Sequence, residues 1–255
     1  MNAMIRLSDI EKSFGNKQVL RDINIGIEKG SITGLIGQSG SGKSTMAKIL
    51  AGLVEPDAGK IFYLDREIGN IKKRSFTECA DIQYIFQDPY SSLEGIYTVK
   101  QVLDEAHGLC RLRKRTDIFR PEEAMAMVGM DYALWKSRRV ATLSGGQRQK
   151  LCLARAILPK PKLIIADEST AMLNDETASE IFRLLGDARD KYGTAIFLIT
   201  HQSKVIKEFC DELHVLNEGG IVESGKRNEV LSAPKTDYTR RLLQCIDYLG
   251  GAQFG

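Results

Sequence analysis

The 255-residue chain has no C-x-x-C pair, no long apolar run, no internal repeat and no low-complexity tract. Each absence excludes something. Its five cysteines, Cys79, Cys110, Cys152, Cys210 and Cys245, are odd in number and widely scattered. That argues against a structural zinc or a disulfide framework and for a reducing compartment. No apolar stretch approaches the ~20 residues that cross a bilayer, and the N-terminus shows no charged-then-apolar signal pattern. Any traffic of solute across a membrane would therefore need a pore from other chains. A strong charge of one sign is also missing: the net charge is +3. The densest basic runs, Arg111-Leu112-Arg113-Lys114-Arg115 and Lys136-Ser137-Arg138-Arg139, read as the solvated side of a helical lobe, and no nucleic-acid partner is expected.

What is present is the composition of an ordinary globular α/β protein, large enough for one sizeable core or a core plus a lobe. Within it, Gly37-Gln38-Ser39-Gly40-Ser41-Gly42-Lys43-Ser44-Thr45 fits G-x-x-x-x-G-K-[ST]. The apolar run 31–36 before it predicts a buried parallel strand, and 46–51 after it predicts a helix, the context a phosphate loop requires. Glycines at 37, 40 and 42 let successive N–H groups turn toward phosphate oxygens, and the helix N-terminus adds partial positive charge. Lys43 is expected at the β- and γ-phosphates, the Ser44 hydroxyl on Mg²⁺, and Thr45 at the α-phosphate. A Gly/Ser-rich turn that binds nothing would not explain Lys-Ser-Thr in that frame.

Two further strand ends carry chemistry. Lys162-Leu163-Ile164-Ile165-Ala166 leads into Asp167-Glu168, at the C-terminal end of a buried strand where open α/β sheets place ligands. Taken alone these are two solvated acids; beside a phosphate loop, Asp167 reads as a Mg²⁺ ligand, through water, and Glu168 as general base. His201 follows the strand 195–200, where a neutral imidazole could hydrogen-bond a γ-phosphate. Far from the loop, Leu143-Ser144-Gly145-Gly146-Gln147 is a glycine-rich turn opening a helix over 147–158, whose N–H groups can meet a phosphate.

In this order the residues resemble the ATPase subunits of ABC transporters over nearly the whole chain. The resemblance makes Leu143 to Gln147 the family signature, and gives Ser144, Gly145, Gly146 and Gln147 the nucleotide of a partner subunit. It makes His201 the switch histidine and Phe14 the aromatic that stacks on adenine, with Val19 beside it. Gln87, in Tyr84-Ile85-Phe86-Gln87-Asp88-Pro89, becomes the glutamine that reaches Mg²⁺ and begins the helical subdomain. On residues alone Phe14 could be core filler in a first β-hairpin, and Gln87 would be a surface amide. The flank Gln87-Asp88-Pro89-Tyr90-Ser91-Ser92-Leu93 and the tail Tyr238-Thr239-Arg240 resemble the peptide and nickel importers in particular. One departure stands out: Asn174 occupies a position that is aspartate in the family, which implies a weakened hydrogen bond across the dimer.

The expected fold is an α/β P-loop NTPase core with an antiparallel β subdomain and an inserted helical subdomain. Residues 1–255 form one ABC ATPase domain, with 4–90 and 144–231 as core and β subdomain, 91–143 as helical subdomain and 232–255 as a helical tail. The implied function is ATP hydrolysis, with ATP and Mg²⁺ as cofactors, at the cytoplasmic face of a membrane. The implied partners are transmembrane permease subunits, a second ATPase subunit, identical or not, and indirectly an extracytoplasmic solute-binding protein. Two other readings compete. A non-transport ABC ATPase of DNA repair or translation would normally need a coiled-coil insertion, zinc cysteines or a second cassette. An unrelated phosphate-loop kinase would have no use for the turn at Leu143 to Gln147.

Overall fold

A computed structural model describes residues 3–169 and 175–251; Asn174 therefore lies outside the described residues. In chain order the elements are β1 (Ile5–Phe14), β2 (Lys17–Ile27), β3 (Ile32–Ile36), α1 (Lys43–Leu50), β4 (Ala58–Tyr63), β5 (Arg66–Ile68), α2 (Phe76–Asp81) and β6 (Ile82–Ile85). Helices α3 (Pro89–Ser92), α4 (Val99–Leu112), α5 (Pro121–Met127), α6 (Tyr132–Trp135) and α7 (Gly145–Ile157) follow. The chain then forms β7 (Leu163–Asp167), α8 (Asp175–Tyr192), β8 (Ala195–Ile199), α9 (Ser203–Phe209), β9 (Glu212–Asn217), β10 (Gly220–Lys226), α10 (Arg227–Ser232) and α11 (Asp237–Gly251).

These elements divide into two compact units, one made of the chain up to Arg74 together with everything from Ala195 onward, the other of Ser75–Thr194. In the first unit β1 and β2 form the antiparallel hairpin that their alternation predicts, and the sheet runs β2-β1-β4-β5. Ile5, Leu7 and Ile10 point inward from β1, so one face of the ladder builds core. Parallel strands β8, β3 and β9, with β10 antiparallel at the end, form the second sheet of this unit. Strands β3 and β8 are buried at every position, which is why their sequences show no alternation.

In the second unit β6 and β7 pair in parallel, and the stretch 89–142 is helical with no strand longer than a single bridge. Local chemistry fixes these helix starts: Ser75 and Glu78 form a capping box on α2, and Thr98 and Gln101 form one on α4. Pro121 opens α5, with Glu122 and Glu123 in its first turn. One expectation is corrected here. Arg115, at the end of the first basic run, is no solvated charge: its guanidinium donates to the Asp81 carboxylate at 2.8 Å and to the Pro159 carbonyl at 2.9 Å. Asp81 is buried and would be costly unpaired, so the unit recruits a cation that the local pattern assigned to solvent.

His214 in β9 is buried against Ser224, whose hydroxyl lies 2.7 Å from Nδ1, and burial pushes its pKa down to about 4. The unfolded chain takes up this proton below about pH 6.5 and the folded chain does not, so stability is complete above that pH and declines as pH falls toward 4. Urea titrations at pH 7 and pH 5 should differ by about 2 kcal/mol from this residue, and His214→Gln should remove that difference.

Candidate nucleotide-binding site

In the first unit the phosphate loop leaves buried β3 at Ile36 and enters α1 at Lys43. Gly42 caps α1 with φ 110°, and a Cβ there would lie 2.8 Å from Leu20 Cδ2 and 2.9 Å from the Val19 carbonyl. Only glycine meets both demands. Lys43 is buried, and its ammonium donates to the Gly37 and Gln38 carbonyls, each at 2.8 Å. The Ser41 carbonyl accepts from the Gly219 N–H at 3.2 Å, which ties the loop to the turn between β9 and β10. Gln38, Ser39 and Gly40 are exposed at the loop's crest, whereas Ser44 and Thr45 are half-buried in the first turn of α1.

Phe14 ends β1 with 53% of its surface exposed, so it does not fill core; Lys12 Nζ sits 5.3 Å from its ring centre. Val19 is half-buried on β2. His201 is exposed between β8 and α9 of the same unit.

The second unit carries the carboxylates. Asp167 ends β7 buried, and its carboxylate accepts a 2.6 Å hydrogen bond from the Tyr84 hydroxyl. Burial, and then this bond to the carboxylate, pushes the Tyr84 phenol above its ordinary value, so Tyr84 remains a donor. Glu168 has φ +43°, a left-handed conformation that costs a non-glycine residue roughly 1–2 kcal/mol. That turn of the backbone brings its carboxylate to the Gln87 amide, which donates to it at 3.0 Å. Gln87 and Glu168, 81 positions apart in sequence, are thus directly joined.

Ser144 and Gln147 form a reciprocal capping box on α7, with the Ser144 hydroxyl accepting from the Gln147 N–H at 3.3 Å and the Gln147 amide oxygen from the Ser144 N–H at 3.0 Å. The helix therefore begins at Gly145, two residues before the sequence expectation. A Cβ at Gly146 would come within 2.9 Å of Thr177 Cγ2, so α8 demands the small residue there independently of any ligand. Tyr84 and Arg148 were not singled out from sequence: Arg148 stacks its guanidinium 4.3 Å from the ring centre of Tyr90 and donates to the Leu143 carbonyl.

The donor set fits a nucleoside triphosphate. Besides Lys43 and a glycine-opened helix N-terminus, the Ser41 hydroxyl is buried in the loop with no hydrogen-bond partner. Among the described residues no group of three or more His, Cys, Asp or Glu could hold a metal ion alone.

A phosphate loop between a buried parallel strand and a helix, with an Asp-Glu strand end in the same chain, defines a P-loop nucleotide-binding α/β protein. Residues 20–171 match the family described as ABC transporter, and the chain belongs to that family. Among its relatives is the methionine import ATP-binding protein MetN of Mesorhizobium japonicum, 36% identical over 95% of this chain and 66% of that protein. The fold is similar to that of cbiO1 from Clostridium perfringens, described as part of the ABC transporter complex cbiONQ, with TM-score 0.78, 25% identity and full coverage of both chains. It is also similar to an ATP-binding cassette solved as a dimer in a post-hydrolysis state with ADP and phosphate, with TM-score 0.74, 25% identity, and coverage of 88% of this chain and 99% of that one. The fold is thus that of an ABC ATPase, whose cofactors are ATP and Mg²⁺. The chain spans about two thirds of the length of the first curated relatives it matches. No helix among the described residues is long and apolar enough to cross a membrane.

Proposed function

We propose that this chain is the ATP-hydrolysing subunit that powers an ABC importer, working from the cytoplasmic face of the membrane. The observation that carries this reading is the Gln87–Glu168 hydrogen bond, because it joins the two residues that the family resemblance assigns to metal contact and water activation. Mg²⁺-ATP supplies the phosphoryl group to be transferred to water. Lys43 exchanges its loop carbonyls for the β- and γ-phosphate oxygens, while the backbone N–H groups at 40–45 and the Ser41 hydroxyl take up the remaining charge. Ser44, Gln87 and, through water, Asp167 would hold Mg²⁺, with the Asp167 carboxylate hydrogen-bonded by Tyr84. Glu168 takes the proton of the attacking water, and His201 meets the γ-phosphate. Phe14, with Val19, offers its exposed ring to the adenine.

The signature turn at Ser144, Gly145 and Gly146 then closes over the nucleotide of a second ATPase chain, as the dimeric state of a similar cassette supports. Its partners are membrane permease subunits and, through them, a solute-binding protein. A cavity of about 330 Å³ lined by Phe76, Tyr84, Val102, Leu109 and Cys152 offers a socket for a permease helix.

For the solute, the name of the relative at 36% identity supports methionine, whereas the flank at 87–93 and the Tyr238-Thr239-Arg240 tail support a peptide or nickel. The test is to reassemble this chain in proteoliposomes with permease subunits of methionine, dipeptide and nickel importers in turn. With saturating binding protein, ATPase activity should rise several-fold for one of methionine, a dipeptide or Ni²⁺. Failure of the chain to associate with any permease, in a preparation that hydrolyses ATP, would remove the transport reading.

A further inference from the structure

The Tyr238 side chain joins the C-terminal helix to the phosphate loop. Its hydroxyl accepts a 3.1 Å hydrogen bond from the Gln38 N–H and lies 3.4 Å from the Leu216 carbonyl of β9, to which it donates. The Gln38 N–H and the Gly37 carbonyl belong to one peptide plane, and Lys43 binds that plane from its other edge at 2.8 Å. A single peptide group is therefore pinned at both ends, by the phosphate-binding lysine on its oxygen and by Tyr238 on its nitrogen.

Tyr238 is itself held. The Glu223 carboxylate on β10 accepts from the N–H groups of Lys235 at 2.9 Å and Thr236 at 3.2 Å, fixing the chain just before α11. Thr236 caps that helix through its hydroxyl, which accepts from the Thr239 N–H at 3.0 Å. Buried Glu223 and Thr239 leave the entry to α11 little freedom, so Tyr238 reaches the loop from a fixed base.

We propose that Tyr238 is a positioning residue for nucleotide binding: through the 37–38 peptide it sets the orientation of the loop on which Lys43 rests, with Glu223 as the anchor. This rests on the reading of the loop as an ATP site. The hydroxyl is already committed to the Gln38 N–H and the Leu216 carbonyl, so it acts through the loop and not on a phosphate directly. Its contribution is preorganisation: without it the 37–38 peptide is held only through its carbonyl, by the lysine that ATP draws away, and more of its ordering falls on the binding step.

Tyr238→Phe keeps the ring and removes the tether. One neutral hydrogen bond lost corresponds to roughly three- to tenfold weaker ATP binding by the purified full chain. At saturating ATP, kcat should stay within about twofold and the thermal midpoint of the nucleotide-free chain close to wild type. Glu223→Gln should weaken binding in the same direction, and Tyr238→Phe with Glu223→Gln should cost less than the product of the two, since both act through one contact. Unchanged or tighter ATP binding in Tyr238→Phe, with a wild type that binds ATP, would overturn the inference. A parallel fall of kcat and thermal midpoint would overturn it too, leaving Tyr238 a packing residue. A wild-type chain that binds no ATP, alongside an equally inert Lys43→Ala control, would sink the nucleotide reading and the inference together.

Discussion

Lys43→Ala is expected to weaken ATP binding by roughly 10²- to 10⁴-fold, the equivalent of two charge-assisted hydrogen bonds. The side chain is buried, and its ammonium spans the Gly37 and Gln38 carbonyls at hydrogen-bonding distance, so it already stands at the loop where anionic oxygens would arrive. Replacing those carbonyls by phosphate exchanges neutral acceptors for charged ones, which is the direction in which a buried cation gains most. Isothermal titration of the purified variant measures the loss. Wild-type affinity would show that the loop binds no phosphate.

Glu168→Gln should behave in the opposite way, retaining ATP while hydrolysis falls by ~10²- to 10⁴-fold with loss of the general base. The substitution is nearly isosteric, and a glutamine carbonyl can still accept the bond that Gln87 donates, so the left-handed turn at 168 has the same support. ATP then remains bound, and the chain should accumulate as a closed dimer. Light scattering with ATP and Mg²⁺ distinguishes the cases. A variant that binds ATP yet stays monomeric under conditions where the wild type also binds would count against closure across two chains.

Much of this site was legible because its determinants are local. The phosphate loop, the strand before it and the helix after it are contiguous, so spacing alone placed Gly37 to Thr45 between the end of β3 and the first turn of α1. The Asp-Glu pair was legible for the same reason, as the end of an apolar run. What spacing could not show was which distant groups hold these residues. Tyr84 lies 83 positions from Asp167, and Tyr238 lies 200 positions from Gln38. Pattern marks neither tyrosine's partner, since any half-buried phenol needs one and the sequence does not say which. The Ser144-x-x-Gln147 spacing is itself the pattern of a capping box, and the glycines between them are equally the pattern of a phosphate-facing turn. Arg115 failed for the converse reason: within its basic run nothing marks it as the partner of buried Asp81.

The segment after Gln87 and the helix that follows the signature turn are fastened at several points. Asp88 caps α3 by accepting from the Tyr90 and Ser91 N–H groups, and Tyr90 lies against the Arg148 guanidinium of α7. One turn further along α7, the Cys152 thiol meets the Ser92 hydroxyl at 3.2 Å, and Arg155 donates to the Ser92 carbonyl at 3.1 Å. Three side chains on one stripe of α7 thus grip two residues of α3, Tyr90 and Ser92. A push on α3 is transmitted as a lever arm transmits it, because displacing this short helix without α7 means breaking three different kinds of contact together. The four residues of α3 and the stripe of α7 that holds them are therefore expected to shift as one body.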